Sequence, residues 1–213
     1  MSLFSGKYIK YPRTHHLPFS LGKTNDDNVL SNTDHFKGKM VVITEKMDGE
    51  NTTLYSDYLH ARSLMEDGHP SRNWIKAFHS TIKTKITEDM RICGENLYAI
   101  HSIEYEIPSY FLVFSIWDKD ECLSWDDTKK KAEEIGLSLV PVLYEGIYNE
   151  ILVKDMHSKI DLNKSEGYVI RLLDSFKYAD FNSSVAKFVR ESHVQSETHW
   201  MKSKIKPNKL KKI

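Results

Sequence analysis

A lysine that directly follows an apolar segment is the most chemically informative residue of the sequence. Lys46 ends the β-branched segment 40–46, and Gly49 permits a tight turn over 47–51. A lysine placed there lies at the mouth of a sheet rather than on a solvated helix face. Its amine is a nucleophile only when deprotonated, and burial, neighbouring positive charge or a metal ion promotes this. The segment indicates either a nucleophilic lysine or an ordinary charged turn.

Three carboxylates surround this lysine, at Glu45, Asp48 and Glu50. Carboxylate oxygens are ligands that a hard cation such as Mg²⁺ prefers. Without a metal, the same negative charges would raise the pKa of Lys46 and keep the amine protonated. The hypothesis of a nucleophile therefore requires a cation, and four residues of the type K-x-D-G do not decide the matter alone.

The elements that must position these residues are mostly strands. The sequence predicts strands over 40–46, 52–55, 58–62, 90–99, 110–117, 137–143, 167–173 and 185–189, after an irregular lead-in over 1–38. It predicts helices over 72–86 with Ser71 as cap, from Ser124 or Asp126 to about Gly136, and over 149–158. Because the helices are few and irregularly spaced, we expect an α+β fold with mostly antiparallel sheets and not a doubly wound sheet.

Composition limits the class of protein. The chain has 213 residues, 40% of them hydrophobic, with 30 basic and 30 acidic side chains. This length suits one domain with a small appendage. No apolar run approaches the roughly 20 residues of a membrane span, and the N-terminus lacks a secretory pattern. Because Cys93 and Cys122 cannot form a disulfide framework, we expect a cytoplasmic protein without membrane partners.

Positive charge is concentrated at the C-terminus. Residues 187–213 contain eight basic and two acidic side chains, a net charge of +6. Such a segment either contacts nucleic-acid phosphates or is a solvated terminus. The ten histidines and two cysteines show no zinc-binding spacing, so we expect structural or surface histidines.

The segment 46–49 resembles motif I of the covalent nucleotidyltransferases, the superfamily of ATP-dependent DNA ligases, RNA ligases and mRNA capping enzymes. Other stretches resemble the superfamily's further motifs, and they occur in the same order. These are Arg62 after motif I, Glu95 in 93–96 (motif III), Phe114 in 111–118 (motif IIIa), Glu166 in 166–171 (motif IV) and Lys187 in 185–190 (motif V). The resemblance spans residues 45–190 and implies the adenylation fold of this superfamily, with a nucleotide cleft.

Within this superfamily the chain is most similar to compact bacterial and phage RNA ligases. DNA ligases and capping enzymes carry an OB-fold domain after motif V, and the 23 residues after Arg190 are too few for one. We therefore expect an adenylyltransferase domain over 1–190 and a basic tail over 191–213. Phrases at 11–14, 69–72, 193–195 and 199–200 also resemble this group. One departure is at motif V, where Val189 and Arg190 replace the usual second lysine.

The resemblance implies a role for each candidate residue. Lys46 would take AMP from ATP and pass it to an RNA 5′-phosphate, whose adenylated end a 3′-OH then attacks. Lys187 and Arg62 would contact phosphates, and Mg²⁺ or Mn²⁺ would bind at Glu166 and Asp48. Nucleotide contacts would come from Glu45, Asn51, Glu95, Phe114 and Arg190. From the residues alone, Phe114 is equally a core side chain of the run 111–114.

The predicted function is an ATP-dependent RNA ligase that acts as a monomer on RNA ends or nicked RNA, in RNA repair. Two alternatives stay open at this point. One is a minimal ATP-dependent DNA ligase, and the other is an inactive module that binds nucleotide or RNA ends. Use of GTP also stays open, because stacking on Phe114 does not discriminate between purines.

Overall fold

The structure is a computed structural model that describes residues 7–64, 68–191 and 205–212. The strands among these residues are β1 (His15–His16), β2 (Met40–Lys46), β3 (Glu50–Leu54), β4 (Leu59–Ala61), β5 (Met90–Asn96), β6 (Glu106–Ile107), β7 (Phe111–Asp118), β8 (Glu121–Cys122), β9 (Ser138–Leu139), β10 (Val142–Ile147), β11 (Gly167–Leu172), β12 (Phe176–Lys177), β13 (Val185–Val189) and β14 (Lys209–Leu210). The α-helices are α1 (Asn73–Ile82), α2 (Trp125–Ile135) and α3 (Glu150–Lys159).

Two sheets form the body of the molecule. The first has the order β1-β13-β11-β2-β10, and the second has the order β12-β8-β7-β5-β3-β4 with β9 added beside β7. A short ladder joins β14 to β6. The pairings β1–β13, β7–β9 and β14–β6 are parallel, and the others are antiparallel. The expected α+β fold with mostly antiparallel sheets is confirmed.

Strand β2 ties the two sheets together because it is apolar on both faces. Val41 and Ile43 pack in the core on one side of the first sheet. Val42 points the other way, into a cluster with Leu97 and Leu112 of the second sheet. All three β2 side chains are fully buried, and burial stabilises each by roughly 1.5–3 kcal/mol. The end of β2, where Lys46 lies, is thereby fixed between the sheets.

Helix α1 differs from its prediction at both ends. A 3₁₀ turn over Pro70–Arg72 precedes it, and a second over Lys83–Lys85 replaces the expected last turn. Ser71 does not cap the helix, because its hydroxyl lies 2.7 Å from His69 Nδ1. The predictions for α2 and α3 are confirmed, since Ser124 and Asn149 cap them through backbone N–H groups at Asp127 and Leu152.

The single strand predicted over 137–143 is wrong. The chain forms β9 in the second sheet, crosses at Val140 and Pro141, and continues as β10 in the first sheet. Pro141 has no N–H to donate to a ladder, which favours a break there. The crossing is nevertheless bonded to both sheets: the Val140 N–H donates to the Val113 carbonyl, and the Pro141 carbonyl accepts from Glu45 N at 2.8 Å.

The N-terminal lead-in was predicted to be irregular, but it contains a short strand. Strand β1 adds to the edge of the first sheet, with His16 opposite Lys187. At the other end of the chain, the described part of the basic tail contains β14. No helix of the described residues is long and apolar enough to cross a membrane.

Gly167 should be indispensable for the pairing of β11 with β13. Its φ is +151°, and a Cβ would lie 2.1 Å from the Phe188 carbonyl oxygen. Gly167→Ala should lower the free energy of unfolding by at least about 2 kcal/mol, because the neighbouring backbone would have to move. Gly68→Ala is the control, since no atom lies within 4 Å of its Cβ position. Urea denaturation followed by circular dichroism compares the two variants, and equal stabilities would contradict this account.

Candidate active site

The antiparallel register of β2 and β11 creates the centre of the site. Lys46 lies opposite Gly167, which places the preceding residue, Glu166, beside the lysine side chain. Lys46 Nζ donates to Glu166 Oε2 at 2.5 Å. Only 19% of the Lys46 side chain and 2% of the Glu166 side chain are exposed. The two residues therefore form a buried ion pair at the end of two central strands.

The charge of this pair is shared with the second sheet. Burial lowers the pKa of Lys46, but the charges of Glu166 and Glu95 outweigh it and hold the pKa above its ordinary value. Glu95, on β5, accepts from the Gly49 N–H at 3.2 Å. Burial raises the pKa of Glu95 to about 8, opposed by Lys46 and reinforced by Glu166 and Asp48. At neutral pH the amine of Lys46 is therefore protonated.

Lys187 and Arg62 bring positive charge to the same place. Lys187 lies on β13, opposite Val169 of β11. Burial lowers the pKa of Lys187 to about 8, and the charges of Lys46 and Arg62 add to this effect. Arg62 follows β4 and is exposed. The structure thus brings Lys46, Glu166, Lys187 and Arg62 into one electrostatic cluster.

The carboxylate of Asp48 is bonded to the loop after β5 and not to Lys46. Its Oδ2 accepts from Ser102 N at 2.8 Å, Ser102 Oγ at 2.7 Å and Ile103 N at 3.1 Å. Its N–H donates to the Tyr105 hydroxyl at 3.0 Å. The turn after β2 is therefore bonded to the loop that follows β5. This carboxylate holds two chain segments together.

The remaining carboxylates near the lysine are also engaged. Glu50, one of the sequence-based candidates for metal binding, accepts from Arg72 Nε at 3.0 and 2.8 Å and from Arg72 Nη2 at 2.5 Å. This pair is 13% and 10% exposed, so Glu50 is a structural partner of Arg72. Glu45 hydrogen-bonds Ser165, and burial raises the pKa of its carboxyl.

Phe114 occupies a bulge in β7. The pairing with β5 shifts between Cys93 and Gly94, which leaves Phe114 as the extra residue. Bulges re-aim a side chain, and Phe114 is only half-buried whereas its strand neighbours on both sides are buried. Its ring contacts the edge of Tyr11 at a centroid distance of 5.2 Å. The aromatic face is partly open, unlike that of an ordinary core phenylalanine.

Asn51 Oδ1 and Arg190 Nε are buried without a hydrogen-bond partner among the described residues. Asn51 lies opposite Glu95 in the β3–β5 register, and the Arg190 N–H donates to the Glu166 carbonyl at 3.0 Å. Because buried polar atoms are normally paired, such orphans indicate positions for a polar ligand.

The carboxylates fit a divalent cation only as a partial coordination shell. No group of three or more His, Cys, Asp or Glu side chains within the described residues is arranged to hold a metal. Mg²⁺ commonly takes one or two carboxylates and completes its shell with water and substrate phosphates. Glu166 has the required oxygen chemistry beside Lys46. Asp48 Oδ2 already accepts three hydrogen bonds, so Glu166 fits this role better.

Sequence patterns did not reveal the contribution of the N-terminal lead-in. His16 lies opposite Lys187, and its Nε2 is 3.4 Å from Asp27 Oδ1. Burial, reinforced by Lys187, lowers the pKa of His16 to about 4, so the ring is neutral. Within the lead-in the only sequence signal is the resemblance at 11–14, which implies no role for a particular residue. The similar phrase at 69–72 lies at the 3₁₀ turn before α1. The similar phrases at 193–195 and 199–200 lie outside the described residues.

Comparisons with known proteins agree with this geometry. The family model described as RNA ligase matches residues 39–189, which include Lys46, Glu95, Glu166 and Lys187. No curated protein matches the sequence.

Solved structures of ligases share the fold. The chain is similar to Naegleria gruberi RNA ligase with PPi, at a TM-score of 0.54 and 20% identity over 74% of this chain and 51% of that one. It is similar to a mutant of that ligase with AMP and Mn, at a TM-score of 0.54 and 17% identity over 87% of this chain and 57% of that one. It is also similar to a putative ATP-dependent DNA ligase from Aquifex aeolicus, at a TM-score of 0.54 and 20% identity over 84% of this chain and 49% of that one. The chain spans about half the length of these proteins.

Lys187 should lower the stability of the folded chain in a pH-dependent way. Its pKa of about 8 compares with 10.5 for an ordinary lysine. Below pH 8 both states are protonated and the folded state carries a buried charge. Between pH 8 and pH 10.5 the unfolded chain holds the proton on Lys187 and the folded chain does not. The contribution of Lys187 to the free energy of unfolding therefore rises with pH in this range. Above 10.5 both states are neutral.

Lys187→Met should therefore raise the free energy of unfolding at neutral pH by about 2 kcal/mol. The advantage should shrink as the pH approaches 10.5. Urea denaturation over this range measures it, with Lys39→Met as a control at an exposed lysine. A difference between Lys187→Met and wild type that does not vary with pH would contradict the assignment.

Proposed function

The chain belongs to the RNA ligase family, and we propose that it is an ATP-dependent RNA ligase that seals RNA 5′-phosphate and 3′-OH ends in RNA repair. The observation that carries the proposal is the buried 2.5 Å contact of Lys46 with Glu166, surrounded by Lys187, Arg62 and Glu95. Lys46 would form a covalent intermediate with the nucleotide, and Lys187 and Arg62 beside it would bind the phosphates.

In the first step, Lys46 Nζ attacks the α-phosphorus of ATP. A P–N bond forms, the bond from the α-phosphorus to the bridging oxygen breaks, and pyrophosphate leaves. The amine must first lose its proton to water, which the charges of Glu166 and Glu95 oppose. Mg²⁺ or Mn²⁺ bound at Glu166 would offset that negative charge and neutralise the phosphates. Lys187 and Arg62 would orient the phosphate oxygens.

In the next two steps, AMP is transferred to the RNA 5′ end and the two RNA ends are joined at the same site. The RNA 5′-phosphate oxygen attacks the AMP phosphorus, the P–N bond breaks, and the Lys46 amine is regenerated. The 3′-OH of the other end then attacks the 5′-phosphorus and releases AMP. Each step is a displacement at phosphorus, for which positioning and charge neutralisation supply most of the catalysis. Arg62 is exposed, which suits contact with an incoming RNA end.

The nucleoside would lie beside the β7 bulge. Phe114 presents a half-buried ring for stacking on adenine. Glu95 accepts from the Gly49 N–H and would accept a further hydrogen bond from a ribose hydroxyl. Asn51 Oδ1 lacks a partner among the described residues and would accept from the nucleotide or the acceptor end. Glu45, bonded to Ser165, is the candidate acceptor for the adenine amino group.

A DNA ligase is the second candidate. The Aquifex aeolicus structure has the same TM-score, 0.54, as the Naegleria gruberi RNA ligase with PPi. The family match favours RNA. Sealing of nicked RNA compared with nicked DNA of the same sequence decides between the two candidates.

The intermediate is tested by intact-mass spectrometry after a pyrophosphate wash and incubation with ATP and Mg²⁺. Wild type should gain the mass of one AMP, and Lys46→Ala should gain none because the nucleophile is absent. Lys39→Ala removes an exposed lysine at the opposite end of β2 and should gain AMP like wild type. AMP on Lys46→Ala would refute the assignment of the nucleophile. A wild type that stays unmodified with ATP, GTP and adenylated RNA would favour an inactive binding module.

Phe114→Ala should weaken ATP binding and leave the maximal rate of adenylation largely intact. Loss of base stacking costs roughly 1–3 kcal/mol, equivalent to about a 5- to 150-fold rise in KM. Phe114→Tyr keeps an aromatic face and should retain most of the affinity. Initial rates of AMP incorporation at varied ATP concentration measure both parameters. An unchanged KM in Phe114→Ala would assign this ring to the core alone.

A further inference from the structure

The described end of the chain, residues 205–212, is fixed against the body by Asn208. This side chain is 2% exposed. Its Oδ1 accepts from Tyr105 N at 2.7 Å, and its Nδ2 donates to the Leu97 carbonyl at 2.7 Å. Its backbone N–H donates to the Tyr98 carbonyl, and its carbonyl accepts from the Tyr110 hydroxyl. Together with the β14–β6 pairing, these bonds hold the segment in one defined position.

Four lysines are displayed by this fixed segment. Lys206, Lys209, Lys211 and Lys212 are all exposed. Lys209 Nζ lies 2.7 Å from Glu104 Oε1, and the other three form no ion pair within the described parts of the chain. The four positive charges exceed those of the neighbouring acids, Glu104 and Glu106. The positive charges of this segment are thus held in a defined position on the surface. They do not belong to a freely solvated terminus, which was the alternative for these lysines.

Aromatic rings adjoin these lysines. Trp74 contacts Tyr110 edge-on at 5.1 Å and is nearly parallel to Tyr98 at 6.5 Å. All three side chains are half-buried. Tyr110 also lines an open groove of ≈ 640 Å³ together with Lys209, Lys211 and Lys212. Cations along a groove with aromatic rings are the combination that binds single-stranded nucleic acid.

This surface connects directly to the candidate active site. The loop that Asn208 bonds at Tyr105 also supplies Ser102 and Ile103, the donors to Asp48. The Tyr105 hydroxyl accepts from Asp48 N, two residues from Lys46. One loop thus joins the lysine-bearing segment to the turn that carries the nucleophile.

We propose that Lys206, Lys209, Lys211 and Lys212, with Tyr110, form a binding surface for the phosphate backbone of the RNA strand next to the end being sealed. This inference rests on the proposed RNA ligase function. It assigns RNA contact to a segment outside residues 39–189, the span of the family match.

The test measures binding of a fluorescently labelled single-stranded RNA by anisotropy at several KCl concentrations. The quadruple variant Lys206→Ala, Lys209→Ala, Lys211→Ala and Lys212→Ala is compared with wild type. The slope of log K against log salt should fall by roughly 0.7 for each phosphate that the variant no longer neutralises, and by about 3 if all four lysines contribute. The corresponding Lys→Arg variant keeps the charge and should keep the slope. Tyr110→Leu should weaken binding and leave the slope unchanged.

A charge-matched control removes four lysines elsewhere, with alanine at Lys37, Lys154, Lys159 and Lys164. These lysines are paired with acids of their own helix or turn. This control should bind RNA as wild type does. An equal fall in the slope of the control would overturn the proposal, because the effect would then follow net charge. An unchanged slope in a folded quadruple alanine variant would also overturn it.

Self-adenylation by ATP separates this proposal from the proposed function. It requires no RNA, so the quadruple alanine variant should still gain AMP while RNA sealing falls. Failure of wild type to gain AMP would contradict the proposed function, and the salt slopes would still test the surface. If the alanine variant does not fold, loss of RNA affinity in the corresponding Lys→Gln variant supports the proposal, and wild-type affinity with an unchanged slope contradicts it.

Discussion

The buried ion pair of Lys46 and Glu166 is the interaction on which the rest of the site depends. Removing two charges from water costs several kcal/mol per ion, and their attraction offsets this only when further polar contacts are good. Here the pair has a 2.5 Å contact and the additional charges of Glu95 and Lys187 nearby. The cluster exists because the strands force these groups together, and its charges are coupled. Such coupling is typical of functional sites, where groups are held in positions that do not favour stability.

The strands supply that force through apolar packing. Val41, Val42 and Ile43 are fully buried and alternate between two cores, one on each side of the first sheet. A slip of one residue in β2 would move Lys46 away from Glu166 and place the apolar side chains on the wrong faces. The register that positions Lys46 is thus stabilised by the cores, with no need for a favourable contribution from the ion pair.

Local sequence signals predicted the elements whose cause is local. The apolar run of β2, the hairpin at Ser56 and Asp57, and the helices α2 and α3 are of this kind. The prediction for 137–143 is wrong because an apolar segment does not show which sheet it joins, and the chain changes sheets at Pro141. The electrostatic neighbours of Lys46 were predictable from motif resemblance. The roles of His16, Arg72 and Asn208 were not, because their partners lie far away in sequence.

The same long-range contacts explain how Lys46 on one sheet is aligned with groups on the other. Lys46 belongs to the first sheet, yet the turn after it is bonded at Gly49 to Glu95 and at Asp48 to the loop after β5. Glu50 is held in addition by Arg72, ahead of α1. These bonds mean that the sheets cannot separate at this point without breaking buried hydrogen bonds. The exposed Arg62 and the half-buried Phe114 lie outside this bonded turn.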